Sequence, residues 1–199
     1  MNWTGREITG GAGDALMWFD LLREGGELRP FHPRLRLRPA EFAVAERPAD
    51  YARLYAVDAE WTHVGSPFGL DPFRHAGHAL ANGGREERAM RDAVLQWREW
   101  HRNLVTVTSL RLMIHHEVWH SFWYEEMDEL VPVFDHPRRG HYGLTAAFSD
   151  APRLGLFGPY VLSILLLAEY FSGRFEVLTS EPGFRRWHAE MTGGIPAPG

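Results

Sequence analysis

The segment His116-Glu117-Val118-Trp119-His120 has the residue types and the spacing of a zinc-hydrolase motif. When such a segment is helical, its two histidines bind one zinc ion and the intervening glutamate polarises the water bound to that ion. A catalytic zinc site also takes a third protein ligand, and Glu169 is the candidate in this sequence. A zinc metallopeptidase that uses His116, Glu117, His120 and Glu169 is therefore one hypothesis for the function.

The residues around this motif favour β-strands over a helix. From residue 105 to residue 124 the sequence is rich in β-branched and aromatic side chains, and apolar residues recur at every second position. On one extended strand His116 and His120 would lie about 13 Å apart, too far to share a zinc ion. We therefore predict that the motif lies in a β-hairpin and binds no metal, and we expect no catalytic residues and no cofactor.

Three arginines alternate with leucines near the first predicted strand, at Arg34, Arg36 and Arg38. A period of two places their side chains on one face of an extended segment. A solvated row of arginines is ordinary on a protein surface, whereas paired guanidinium groups also recognise phosphate well. Both interpretations stay open, and the second makes the three arginines candidates for binding an anion or a lipid headgroup.

Trp119 and Trp123 are the candidate aromatic contacts of a binding site. The chain has eight tryptophans, and a large aromatic side chain is most often packed in a core or at its rim. Tryptophan is also enriched at contact surfaces. On a strand over residues 118–124 the two side chains would share one face, so they join the three arginines in the predicted ligand-binding set.

The composition indicates one globular domain. The chain has 199 residues, of which 45% are hydrophobic, and it has no cysteine, which excludes disulfides and thiolate metal sites. Its net charge of −5 argues against broad nucleic-acid binding, which needs a basic surface. The first residues lack the basic and apolar segments of a signal peptide, and the apolar stretch at 154–168 is shorter than the roughly 20 residues of a membrane helix. We therefore expect a cytoplasmic protein without a membrane span.

The order of predicted elements is α+β. Strands are predicted from β-branched, aromatic and alternating residues at 41–47, 51–57, 104–108, 110–114, 118–124, 130–134, 142–148 and 154–157. Helices are predicted at 85–101 and 159–171, with a short helix or clip near 15–19 and a short helix at 181–191. Residues 64–84 are rich in glycine and proline and are predicted to form a loop.

The second half of the chain resembles the pleckstrin-homology-like superfamily, and in particular bacterial proteins with GRAM-like domains. The resemblance covers about 70 residues, from 104 to 173, and it rests on the order of strand, Trp-bearing hairpin partner, acidic turn, second hairpin and closing helix. The matching segments are VTSLRLM at 107–113, WHSFWY at 119–124, ELVP at 129–132, LTAAF at 144–148, LGL at 154–156, and the helix at 159–171.

This resemblance implies a bent antiparallel sheet, or partly open barrel, with one end plugged by the C-terminal helix. Residues 34–173 would form the domain, with a helical insertion at about 64–101, an extension at 1–33 and a surface tail at 174–199. The superfamily is mostly non-catalytic, so the leading hypothesis is a binding or interaction module for a protein partner or an anionic lipid headgroup, with peripheral membrane contact as one variant. Self-association through the helix at 85–101 and exposed tryptophans is a further hypothesis.

Overall fold

The structure is a computed structural model, and it describes residues 3–56, 94–116, 118–134 and 142–193. Seven strands are present in these residues: β1 Ala43–Tyr55, β2 Gln96–Thr108, β3 Arg111–His116, β4 Val118–Trp123, β5 Glu129–Val133, β6 Tyr142–Ala147 and β7 Arg153–Gly158. The helices are α1 Gly5–Arg23, α2 Val161–Phe171, α3 Phe175–Ser180 and α4 Pro182–Thr192, and a 3₁₀ turn spans Tyr124–Glu126.

The strands form one antiparallel sheet in the order β4-β3-β2-β1-β7-β6-β5, and this sheet curls into a half-barrel. At its centre β1 and β2 pair along their length, from Ala43 opposite Thr108 to Tyr55 opposite Gln96. The predicted α+β class with a partly open barrel is therefore confirmed. Short turns join the antiparallel neighbours β2–β3 and β6–β7, whereas β1 pairs with β2 and β7, which lie far from it in the sequence.

Helix α2 packs against the sheet, where it contacts β1, β2, β6 and β7. Its residues from Val161 to Glu169 are all buried, so the sheet alone does not cover it. The reason is that α1 covers the other side of α2: a side chain at Gly11 would lie 2.4 Å from the carbonyl oxygen of Pro159. A helix that is apolar all round is stable only when it is covered on all sides.

Helix α1 is longer than the short helix or clip predicted near residues 15–19. Thr4 and Glu7 form a capping box at its start, which satisfies backbone N–H groups that have no partner within the helix. Ala15, Trp18 and Phe19 are buried in the main hydrophobic cluster. The segment predicted as an N-terminal extension therefore supplies part of the core, and its glycines hid the helix because glycine is a poor helix former.

The C-terminal segment also belongs to the core. Helix α4 matches the short helix predicted at 181–191, and it buries Phe184 and Trp187. The ring of Phe184 lies 5.2 Å from that of Phe19 in α1, and Leu178 of α3 is buried as well. The expectation of a surface tail beyond residue 174 was therefore wrong for residues up to 192.

The helix predicted at 85–101 was wrong at its C-terminal end. Residues 96–101 form the first half of β2 and pair with β1. The rest of the predicted helix, at 85–93, and the loop predicted at 64–84 lie outside the described residues. The two strands predicted at 41–47 and 51–57 are one strand, β1. Long-range pairing overrides the local helix preference of these residues. Among the described helices, none is long and apolar enough to cross a membrane.

Candidate anion-binding pocket

The histidines of the zinc-like motif lie on two neighbouring strands. His116 ends β3 and pairs with Val118 of β4, while His120 of β4 lies opposite Ile114. The predicted hairpin is thus confirmed for the described residues of the motif, although we expected the two histidines on one strand. The arrangement of the zinc hydrolases, in which both imidazoles project from one helix, is not the arrangement of this segment.

Glu169, the predicted third zinc ligand, has other partners. It is buried on α2 and accepts a hydrogen bond of 3.0 Å from Nε of Arg174. Burial raises the pKa of Glu169 above its ordinary value, and the charge and hydrogen bond of Arg174 oppose that rise. No cluster of three or more histidine, aspartate or glutamate side chains suited to a metal ion occurs within the described residues.

Of the three arginines predicted to bind a ligand, Arg38 contacts Trp123, an aromatic residue of the same predicted set. The segment around Arg34, Arg36 and Arg38 lies outside the sheet, with exposed arginines alternating with half-buried leucines. The guanidinium carbon of Arg38 lies 3.7 Å from the centre of the Trp123 ring, within the range of a cation–π contact. The alternation was predicted correctly, but the segment turns after Arg38 and does not form a row of three ligands.

Trp119 and Trp123 lie at opposite ends of β4. Trp123 pairs with Arg111, beside the turn between β2 and β3. Trp119 is at the tip of the hairpin, where its ring packs 4.9 Å from that of His115 and the residue keeps 39% of its surface exposed. The structure therefore brings Arg38 and Trp123 together and leaves Arg34, Arg36 and Trp119 outside the pocket that these two residues line.

A buried ion pair holds this region in place. The carboxylate of Glu41 accepts hydrogen bonds from Nε and Nη2 of Arg111 at 2.8 and 3.0 Å, from Oγ1 of Thr108 at 2.8 Å, and from the backbone N–H of Arg38 at 2.7 Å. Burial by itself would raise the pKa of Glu41, but these hydrogen bonds and the Arg111 charge outweigh it and lower the pKa. Glu41 therefore joins the Arg38 segment to the turn between β2 and β3.

The aromatic wall of the pocket is fixed by further contacts. The guanidinium of Arg111 lies 4.2 Å from the centre of the Trp123 ring. The hydroxyl of Tyr124 donates to the carbonyl oxygen of Thr108 at 3.1 Å, and its ring is nearly parallel to that of Phe171, with centres 6.4 Å apart. Burial raises the pKa of Tyr124 well above its usual value, so this hydroxyl stays protonated and acts as a donor.

These elements enclose a pocket of about 420 Å³. It lies where the β2–β3 turn, the end of β4 and the end of α2 meet. Its lining comprises Arg38, Ser109, Leu110, Trp123, Tyr124, Glu125, Phe171, Ser172 and Arg174. The volume falls within the range of roughly 300–1,000 Å³ that is typical of small-molecule sites.

Arg174 supplies the second guanidinium group of the pocket lining. Its Nε is bonded to Glu169, but its Nη2 is buried and has no hydrogen-bond partner among the described residues. A buried donor without a partner is costly, and an N–H of a charged group more so. Arg38 and Arg174 together place two guanidinium groups in the lining of one pocket, and guanidinium groups donate charge-assisted hydrogen bonds to anionic oxygens.

The sequence patterns did not predict Arg174, Ser109 or Ser172 as residues of the site. The available signal was weak: Arg174 follows Gly173, whose positive φ of 75° ends α2, and a basic residue there resembles an ordinary helix end.

The chain matches no protein-family model, and a search of curated proteins finds no match.

Proposed function

We propose that this protein is a non-catalytic binding module whose ligand presents an anionic group to the pocket between Arg38 and Arg174. The observation that carries the proposal is that two guanidinium groups, those of Arg38 and Arg174, belong to the lining of one pocket. Charge-assisted hydrogen bonds to arginine are among the strongest that a small site can offer. The curled sheet closed by α2 also fits the pleckstrin-homology-like resemblance, which implies binding and not catalysis.

The alternative of a zinc metallopeptidase has less support. Its chemistry needs His116 and His120 on one helix with a third ligand, whereas these residues belong to two strands and Glu169 is bonded to Arg174. A protein partner remains a second hypothesis, for which the exposed Val118 and Trp119 at the hairpin tip are the candidate contacts. The two guanidinium groups in its lining favour the pocket over this tip.

The test compares arginines inside and outside the pocket. We expect R174Q and R38Q each to weaken the binding of small anions about tenfold, the effect of losing one charged hydrogen bond. The readout is NMR titration of the full chain with sulfate, acetate and octanoate, in which the arginine Nε–H signal of Arg174 should shift. The matched controls are R34Q and R36Q, which remove equal charge from the same exposed segment.

The controls separate the pocket from the general charge of the protein. If all four variants weaken binding equally, the anion is attracted by net charge and the proposal is wrong. If no anion shifts the Arg174 signal, the pocket does not bind anions and the proposal is also wrong.

A further inference from the structure

Strand β4 is a free edge of the curled sheet, at one end of the order β4-β3-β2-β1-β7-β6-β5. Just after β4, the backbone N–H of Tyr124 donates to the carbonyl oxygen of Leu110 at 3.1 Å. Along an antiparallel strand, residues that bond the neighbour alternate with residues whose backbone groups point away from it. The N–H and C=O groups of Trp119, Ser121 and Trp123 therefore point away from β3. Within the described residues, these backbone groups have no hydrogen-bond partner.

The two edges of the sheet differ in how they resist further pairing. The other edge, β5, contains Glu129 and Pro132, and a charged residue or a proline keeps an edge strand from pairing with another chain. Strand β4 has the sequence VWHSFW, with no proline and no aspartate, glutamate, lysine or arginine. Val118 and Trp119, at its beginning, are 62% and 39% exposed. Of the two edges, β4 is therefore the one that can accept another strand.

The charge at the far end of β4 selects the kind of strand that would fit. Trp123 lines the pocket together with Arg38 and Arg174, and the guanidinium carbon of Arg38 lies 3.7 Å from the centre of the Trp123 ring. In an added strand, the side chain opposite Trp123 would lie on the same face of the sheet, about 4.5–5.5 Å away between Cβ atoms. An acidic side chain at that position would lie beside Arg38, whereas a basic one would meet like charge. Glu125, the carboxylate of the lining, comes after the strand, in the 3₁₀ turn.

We propose that the partner is an extended peptide that adds to β4 as an antiparallel strand and places an acidic side chain opposite Trp123, beside the pocket. The inference rests on the proposed function, because the acidic side chain is the anionic group at Arg38. Antiparallel addition continues the pattern of the sheet and is the more stable pairing. The peptide residues opposite Trp123, Ser121 and Trp119 exchange backbone hydrogen bonds with β4, which supply affinity, while their side chains supply specificity. Along the peptide these three positions suit an acidic, a small and an aromatic residue, each two residues apart.

The probe is the peptide acetyl-EVTVYT-amide, in which glutamate, the first threonine and tyrosine would lie opposite Trp123, Ser121 and Trp119. Its binding to the full chain is measured by calorimetry. Replacing the glutamate by glutamine should weaken binding about tenfold, the effect of losing one charged hydrogen bond. An N-methyl group on the first threonine removes a donor that faces β4 and should abolish binding. The matched control is an N-methyl group on the first valine, whose N–H faces solvent, and it should leave binding unchanged.

Two variants of the protein assign the binding to the edge and to the pocket. S121P removes the outward N–H at the centre of β4, a place where an edge strand tolerates proline, and it should abolish binding of the peptide. Its folding is checked by circular dichroism, and if it does not fold, the two N-methylated peptides decide alone. R38Q should weaken the glutamate peptide about tenfold, to the level of the glutamine peptide. R36Q, a change at an exposed arginine of the same segment, should alter neither.

The outcomes distinguish this inference from the proposed function. If the two N-methylated peptides bind alike, or the glutamine peptide binds as tightly as the glutamate peptide, the acidic strand is wrong. The anion pocket nevertheless stands if R38Q and R174Q weaken the binding of sulfate or acetate and R36Q does not. If sedimentation shows dimers of the full chain that S121P abolishes, a second copy occupies the edge and the peptide is wrong. If neither the peptide nor a small anion binds, both the inference and the proposed function are wrong.

Discussion

The carboxylate of Glu41 connects parts of the chain that are far apart in sequence. It accepts from Arg38, Thr108 and Arg111, and Arg111 in turn donates to Oγ of Ser121 at 2.8 Å. Thr108 adds a local turn, because its Oγ1 accepts from the backbone N–H groups of Leu110 and Arg111. The position of the pocket residues on the β2–β3 turn therefore depends on one buried acid.

We predict that E41Q lowers the free energy of unfolding by about 3–5 kcal/mol, the typical cost of removing one partner from a buried ion pair. The measurement is urea denaturation followed by circular dichroism. T108V, which removes the hydrogen bonds of the Thr108 hydroxyl to Glu41, Leu110 and Arg111 and keeps the charges, should cost about 1–3 kcal/mol. If E41Q costs no more than T108V, the ion pair does not hold the turn.

Glu41 also predicts a pH dependence of stability. Because its pKa is lowered in the folded protein from the ordinary value of 4.5, its stabilising contribution is complete above that value. The contribution is lost as the pH falls through the lowered pKa. In T108V, where one of the bonds that lower the pKa is absent, the loss should be smaller and should be complete at a higher pH than in the wild type. Acid titration of the unfolding free energy for the two proteins tests this, and identical acid limbs would contradict it.

At the scale of elements, the contact between α1 and α2 depends on the absence of a side chain at Gly11. A Cβ there would lie 2.4 Å from the carbonyl oxygen of Pro159 and 2.7 Å from its Cβ. Gly13, two residues later on the same helix, is exposed and has open space around it. Gly11 therefore leaves no room for a side chain, whereas Gly13 has room for one.

We predict that G11A destabilises the protein by about 1–3 kcal/mol, because the backbone contact of α1 with Pro159 must open. G13A should instead stabilise it by roughly 0.5–1 kcal/mol, since alanine is the better helix former and nothing opposes its side chain. Thermal unfolding of both variants measures the difference. Equal shifts for G11A and G13A would show that α1 does not press on the start of α2.

For the whole molecule, the two terminal segments and the half-barrel share one hydrophobic cluster. Phe184 of α4 contacts Phe19 of α1, and Trp187 packs 6.3 Å from Tyr142 of β6. Further anchors join α1 to the sheet, such as the hydrogen bond of 2.6 Å from Nε of Arg47 to Asp14. The described helices and strands are therefore expected to unfold together.

We predict that F184A costs about 3–5 kcal/mol, as expected for truncating a buried aromatic side chain, and that it lowers the unfolding midpoints of helix and sheet signals equally. M191A is the control on the same helix, because Met191 is 39% exposed. Far-ultraviolet circular dichroism and tryptophan fluorescence follow the two signals. If α4 melts alone while the rest keeps its midpoint, the C-terminal segment is an independent tail.

Several features were predictable because local patterns specify them. Alternating apolar residues from Val105 to Ile114 predict the strands that are found as β2 and β3, and the apolar stretch that becomes α2 needs a sheet to cover. The HEVWH motif was assigned to a hairpin from its β-branched and aromatic neighbours. The exposure of Arg34, Arg36 and Arg38, alternating with half-buried leucines, follows from a period of two.

The remaining features depend on contacts between residues far apart in the chain, which local patterns do not encode. Gln96 to His101 has good helix formers but becomes a strand, because β1 offers it a ladder of hydrogen bonds. The arginine row predicted three equivalent ligands, yet only the fold decides that Arg38 meets Trp123. Likewise, only the fold brings Arg174 into the same pocket lining as Arg38. The sequence by itself determined the α+β class, the β3–β4 hairpin and the helix α2 that covers the sheet. The tertiary structure decided which arginines line the same pocket.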